Sequence, residues 1–212
     1  MSDNGEQITW PSDLPFTNVF QFKITVDEIE PLIWRRLVVP ESYTLYDFHV
    51  AIQNSLGWRD SHCHNFQFDN EKERTGFVIY ECPWTERWSE RDDWIITTKV
   101  PLKDHFNKAG DKGLYRYDYG DGWELEVHLE DIYPKEKEKK YPVCIDGALA
   151  GPPEDCGGVE GYSMCVKATE GGDDDDAKEL LVWLGDWRPD VFNADEIHFE
   201  SSREHFKKSQ GK

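Results

Sequence analysis

The segment Leu114-Tyr115-Arg116-Tyr117-Asp118-Tyr119-Gly120-Asp121-Gly122-Trp123-Glu124-Leu125-Glu126-Val127-His128-Leu129-Glu130 constrains the fold most. Two alternating runs flank a Gly-Asp-Gly turn, the pattern of a β-hairpin with one apolar face. Two registers compete. A two-residue Asp121-Gly122 loop sets Tyr119 opposite Glu124 and Tyr117 opposite Glu126, which mixes aromatic and charged residues on both faces. A three-residue Gly120-Asp121-Gly122 loop pairs Tyr119 with Trp123, Tyr117 with Leu125 and Tyr115 with Val127. The other face then holds Asp118 beside Glu124 and Arg116 beside Glu126. Cross-strand partners share a face, so the second register is expected.

Upstream, Phe20, Phe22, Ile24 and Val26 alternate with polar residues, and Ile33 to Val39 gives a second strand that Pro40 ends. Thr44 through Leu56 reads as a helix with Thr44 and Asp47 as capping pair, an apolar stripe of Leu45, Phe48, Ile52 and Leu56, and Gly57 at its end. Strands are expected at 62–69, 77–82 and 94–99, with a tryptophan-rich connection (Trp84, Trp88, Trp94) and a short helix at 101–106. Residues 134–140 are a solvated charge run, and the Gly- and Pro-rich stretch 150–161 reads as a loop. Asp173 to Asp176 lead into a helix at 177–185, and Asn193 with Glu196 caps a final helix at 194–207. This order predicts an α+β fold: a mostly antiparallel sheet with one early helix and C-terminal helices packed on it. The expected organisation is a loose N-terminal arm (1–15), one domain (16–207) and a short tail (208–212).

Composition narrows the function classes. The chain has 212 residues and a formal net charge of −19, a field that repels phosphate backbones and makes direct duplex DNA binding an unfavoured reading. Arg35, Arg36 and Lys99 are the local cations that bear on that point. Five cysteines form no disulfide-framework pattern, and no apolar run approaches the ~20 residues of a membrane span, so the reading is a cytoplasmic protein with reduced thiols and no membrane attachment.

Three ordered segments carry a family resemblance. They are Trp34-Arg35-Arg36 through Leu56-Gly57-Trp58 to His62-Cys63-His64-Asn65-Phe66; the hairpin from Tyr115 to Glu124; and Tyr141-Pro142-Val143-Cys144 followed by Pro152-Pro153-Glu154-Asp155-Cys156-Gly157-Gly158 and Gly161-Tyr162. Over about residues 19–200 the chain resembles the family named after the third open reading frame of an Agrobacterium Ri plasmid. The resemblance implies a compact α+β fold and no particular activity. Leu125 and Gly151 stand where many members carry His and Cys, two potential ligands this chain lacks.

Several residues can carry chemistry. His62 and His64, two apart on an expected strand, would face one way and suit two imidazole ligands of a divalent metal, with Asp118, Glu124, Cys144 or Cys156 as the third. The ordinary alternative is a pair of half-buried histidines bonded to backbone or carboxylates. Asp118 and Glu124, as cross-strand neighbours, would repel, raise one pKa and serve as an acid–base pair or cation site. Cys156 lacks a nucleophile signature, and no CxxC spacing links Cys144, Cys156 and Cys165. Aromatics and turns are dense, and no complete catalytic constellation accompanies them. The reading is therefore a non-enzymatic binding module whose aromatic-lined groove, near the 115–127 hairpin and the 150–161 loop, takes a protein segment or small ligand through Tyr117, Asp118, Trp123, Glu124, Pro153, Glu154 and Asp155. The alternative is a metal-dependent hydrolase or nuclease-like enzyme using His62 and His64 with Asp118 or Glu124.

Overall fold

A computed structural model describes residues 14–73, 75–83, 95–172 and 174–210. The expected arm (1–13 of it) and Trp84, Trp88 and Trp94 lie outside the described residues. Seven strands, β1 (Asn18–Val26), β2 (Trp34–Pro40), β3 (His64–Asp69), β4 (Phe77–Glu81), β5 (Lys112–Tyr117), β6 (Trp123–Pro134) and β7 (Val143–Ala148), form one sheet in the order β4-β3-β5-β6-β1-β2-β7. Every strand pairing in it is antiparallel. The helices are α1 (Leu45–Leu56), α2 (Gly158–Thr169), α3 (Asp175–Leu184) and α4 (Ser202–Gln210). The α+β class with an antiparallel sheet is as the sequence predicts.

One face of the sheet is apolar and one is wet, as antiparallel sheets allow. Phe22, Ile24, Leu37, Phe66, Tyr115, Leu125 and Val127 are buried and meet the α1 stripe of Leu45, Phe48, Ile52 and Leu56. Phe48 packs on Phe22 with ring centroids 4.5 Å apart. Truncating such a ring to alanine costs about 3–5 kcal/mol. The opposite face is laced by Arg36–Glu130, Arg116–Glu124 and Lys112–Glu126 pairs.

α1 forms where its local signals place it. Thr44 and Asp47 make a reciprocal capping box, and Gly57 ends the helix at φ 79°. All but one of its residues are buried, because α4 covers the side away from the sheet: Phe206 packs on Tyr46 and Val50, and Ser202 hydrogen-bonds the Asp47 carboxylate.

Four expectations are corrected and one strand is added. The hairpin pairs Tyr117 with Trp123, Tyr115 with Leu125 and Arg116 with Glu124, so its loop runs from Asp118 to Gly122. The apolar face is kept, since the slip moves partners by two. The cause is Asp118, which turns into the left-handed region at φ 53° and accepts the amides of Gly120 and Asp121. The sheet gains an edge strand, β7, from residues for which no element was expected. The 94–99 strand reduces, over its described part, to a bridge at Ile96 and a 3-10 turn at Thr97–Lys99. The Gly- and Pro-rich stretch becomes helical at Gly158; its N-cap, Gly157, carries no side chain to signal the start. Asn193 and Glu196 bond each other around a 3-10 turn, Ala194–Glu196, and the last helix starts only at Ser202.

Candidate functional site

The 150–157 loop is docked against the tip of the β5–β6 hairpin. Trp58 and Trp187 donate their indole N–H groups to the carbonyls of Pro152 and Gly151, each at 3.0 Å. Gly151 is required there: a Cβ would stand 2.0 Å from the Leu56 carbonyl oxygen. Tyr117 donates to Glu154 Oε1 at 2.6 Å, and the Arg59 amide donates to Oε2 at 2.6 Å. The amide of Gly157 donates to Asp121 Oδ2 at 3.0 Å. Burial, then the Glu154 carboxylate, drive the Tyr117 hydroxyl well above its ordinary range. The hairpin and loop therefore close on each other along a seam, and the residues expected to line a groove near them divide between separate clefts.

Two clefts flank that seam. The larger, about 510 Å³, is lined by Arg35, residues 54–57, Arg59, residues 150–154, and by Trp183, Trp187, Val191 and Phe192. Pro153 and Glu154 belong to it. Trp183 and Val191 are 52% and 61% exposed. Arg35 is buried; it donates through Nε to Ser55 O at 2.8 Å and through Nη1 to Trp34 O and Ala148 O at 2.8 and 3.0 Å. Its guanidinium lies 4.2 Å over the Phe192 ring, and no described carboxylate pairs with it. Burial pulls its pKa down to about 10. Arg36 points to the opposite face, onto Glu130 and Asp146, so the two arginines form no basic patch. The second cleft, about 400 Å³, is lined by Tyr117, Asp118, Tyr119, Trp123, Glu124, Arg116, Asn65 and Glu81. There Arg116 Nε and Asn65 Oδ1, on cross-strand neighbours, are a buried donor and acceptor with no partner.

The histidines separate. His62 precedes β3 and sits at the seam, its Nε2 2.7 Å from Asp155 Oδ1 and 3.4 Å from Asp118 Oδ2. Its side chain is 34% exposed. Burial works against its charged form, but the bond to Asp155 and the charges of Asp118, Asp155 and Glu154 outweigh it, and its pKa rises. Asp118 and Asp155 both hold left-handed backbones, at φ 53° and 59°. His64, by contrast, is enclosed. Its ring stacks on that of His49, centroids 3.5 Å apart and planes within 14°. The expected shared metal site of His62 and His64 is thus overturned: β3 begins only at His64, so no strand alternation aligns the two. Glu124 joins neither histidine; it pairs with Arg116 at 2.8 Å. Asp118 and Glu124 are not the expected cross-strand pair.

The His64 cluster contains residues the sequence did not single out. Asp60 Oδ1 lies 3.0 Å from His49 Nε2, and its Oδ2 lies 3.0 Å from His205 Nε2 on α4. His49 Nδ1 is 2.7 Å from the Tyr115 hydroxyl, which also accepts from Gln53 Nε2 at 3.0 Å. His64 Nε2 is 3.2 Å from Thr97 Oγ1. Burial raises the Asp60 carboxyl, but the charge of His49 and the bond from His205 overcome it and hold the group far below the usual carboxylate range. Burial, then the charge of His49, hold His64 well below the usual imidazole range. The signal for His49 was in α1 itself: Leu45–Leu56 carries a single formal charge, which fits a helix covered on both sides.

Two groups of three donors, His49/Asp60/His64 and His62/Asp118/Asp155, each bring their ligand atoms within 4.8 Å of one another. Neither includes a cysteine. Burial pushes the Cys156 thiol up to about 12, so it is protonated and a weak nucleophile.

The family model for plasmid pRiA4b ORF-3-like proteins matches residues 18–196. The chain belongs to that family. A curated relative, the uncharacterized protein y4hQ of Sinorhizobium fredii, is 31% identical over 169 residues, 79% of this chain and 81% of that one. The crystal structure of a protein of unknown function, MM3350 from Methanosarcina mazei Go1, superposes with a TM-score of 0.75 at 35% identity, covering 87% of this chain and all of that one. Neither name states a reaction, a ligand or a partner. Among the described residues, no helix of the ORF-3-like fold is long and apolar enough to cross a membrane.

Proposed function

We propose that the protein is a non-enzymatic binding module that holds a carboxylate-bearing, apolar protein segment in the larger cleft. The observation that carries this reading is Arg35. A buried guanidinium is costly without an anion, and this one has three of its five donors on backbone carbonyls and none on a carboxylate. Both hydrogens on Nη2 are left, enough for a charge-assisted hydrogen bond to one oxygen of a ligand carboxylate. Trp183, Val191 and Phe192 supply apolar contact around it. Its setting is cytoplasmic, where the five free cysteines stay reduced.

The hairpin cleft supports a second reading. Its unpartnered donor and acceptor, Arg116 Nε and Asn65 Oδ1, match the carbonyl and N–H of one peptide group. An array of random twelve-residue peptides probes both. Enrichment of acidic, aromatic sequences that Trp183→Ala abolishes supports the larger cleft. Loss in Tyr119→Ala instead assigns the hairpin cleft. No enrichment, or enrichment indifferent to both exposed-residue variants, overturns the binding module.

A further inference from the structure

We propose that His49 Nε2, Asp60 Oδ1 and His64 Nδ1 bind one divalent transition-metal ion, zinc by the chemistry of the donor set. The side chains of His49, Asp60 and His64 are almost fully enclosed, and these three atoms have no hydrogen-bond partner in the fold. His49 Nε2 and Asp60 Oδ1 are close, at 3.0 Å, but misdirected for a hydrogen bond. A buried polar atom left unsatisfied costs about 1–3 kcal/mol, and folds keep few. Here the three side chains each offer one donor atom, and those donors all lie within 4.8 Å of one another. A cation between them satisfies all three at once.

The outer atoms make the same case. His49 is oriented by Tyr115 through Nδ1, His64 by Thr97 through Nε2, and Asp60 by His205 through Oδ2. Each side chain thus has one polar atom held by a neighbour and another left without a hydrogen bond, as metal ligands with outer-sphere partners do. Two imidazoles and one carboxylate suit zinc and its first-row neighbours; calcium and magnesium favour oxygen ligands. The stacked rings, parallel within 14°, must splay toward the ion to direct both lone pairs at it. Three protein donors leave a fourth position on the ion, and α1, the sheet and α4 enclose it. The His62/Asp118/Asp155 group lacks this signature, because His62 Nε2 already bonds Asp155 at 2.7 Å.

The test uses the full chain, stripped with chelator, reloaded with zinc and passed through gel filtration before elemental analysis. About one zinc per chain is expected in the wild type and in His62→Ala, and none in Asp60→Asn. Thr97→Val keeps every ligand and is expected to weaken zinc about 10–100-fold. Saturating zinc should raise the unfolding midpoint by roughly 5–10 °C in the wild type. If Asp60→Asn does not fold, cobalt(II) decides: visible ligand-field bands in the wild type that weaken or shift in Thr97→Val support the site. A folded wild type that retains no zinc and gives no cobalt bands overturns it. So does zinc that survives Asp60→Asn but is lost in His62→Ala, which would place the ion at the seam.

Discussion

His62 and His64 are two residues apart and lie in opposite regimes. His62 faces solvent at the seam, where a direct pair with Asp155 satisfies it. His64 is sealed against His49 and Asp60, where close donors and acceptors leave three atoms unsatisfied. The ligand chemistry is nearly the same in both clusters, imidazole and aspartate. What differs is the supply of water and rotational freedom. An exposed cluster relaxes into ordinary pairs; a buried one is fixed by its surroundings and keeps whatever geometry the fold dictates. Proximity of His and Asp is therefore weak evidence for function until the hydrogen bonds are accounted for.

Breaking the buried cluster should have the largest effect. Asp60→Ala leaves His49, His64 and His205 around an absent carboxylate and is expected to cost about 3–5 kcal/mol by denaturant unfolding. A loss near zero would mean that water replaces the carboxylate and that the cluster is not sealed. Tyr115→Phe removes the hydroxyl that Gln53 and His49 share, at about 1–3 kcal/mol. On the exposed side, Asp155→Asn weakens only a surface pair and is expected to change stability by about 0–1 kcal/mol. A larger loss would show that the seam is tighter than its exposure suggests.

Acid titration supplies a baseline remote from both clusters. Burial raises the Glu41 carboxyl, but the amides of Asn18 and Thr17 outweigh it and lower the pKa to about 2. A depressed carboxylate stabilises the fold above its ordinary value of 4.5, and that contribution fades as pH falls toward about 2. Glu41→Gln should therefore flatten the stability curve over that interval and leave it unchanged near neutrality, apart from a constant offset. An unaltered acid limb would exclude Glu41 as a contributor.

The fold was legible wherever its signals were local. The capping pair Thr44 and Asp47, Gly57 and the apolar stripe define α1 without reference to anything distant. Alternation defines β1, β2 and the hairpin strands. The hairpin register failed at one backbone, Asp118, whose side chain builds the turn from within. β7 was missed because an edge strand of mixed exposure carries little alternation, and α2 because glycines open it. The site was legible only in parts. His62, Asp118 and Asp155 were each singled out, but their meeting depends on residues 93 positions apart in the chain. Arg35 was grouped with Arg36 and Lys99 as a local set of cations, because nothing in Trp34-Arg35-Arg36 tells which arginine points inward. His205 reaches Asp60 across 145 residues, a distance no pattern in the sequence bridges.

That separation has a consequence in time. The family match ends at residue 196, and α4 follows it. During synthesis at 5–20 residues per second, Asp60 leaves the ribosome on the order of ten seconds before His205. The bundle of imidazoles under α1 is thus assembled early and shuttered late. Once α4 is docked, anything held beneath it exchanges only as fast as that helix lifts, so the last nine-residue element sets the clock for the oldest enclosed part of the molecule.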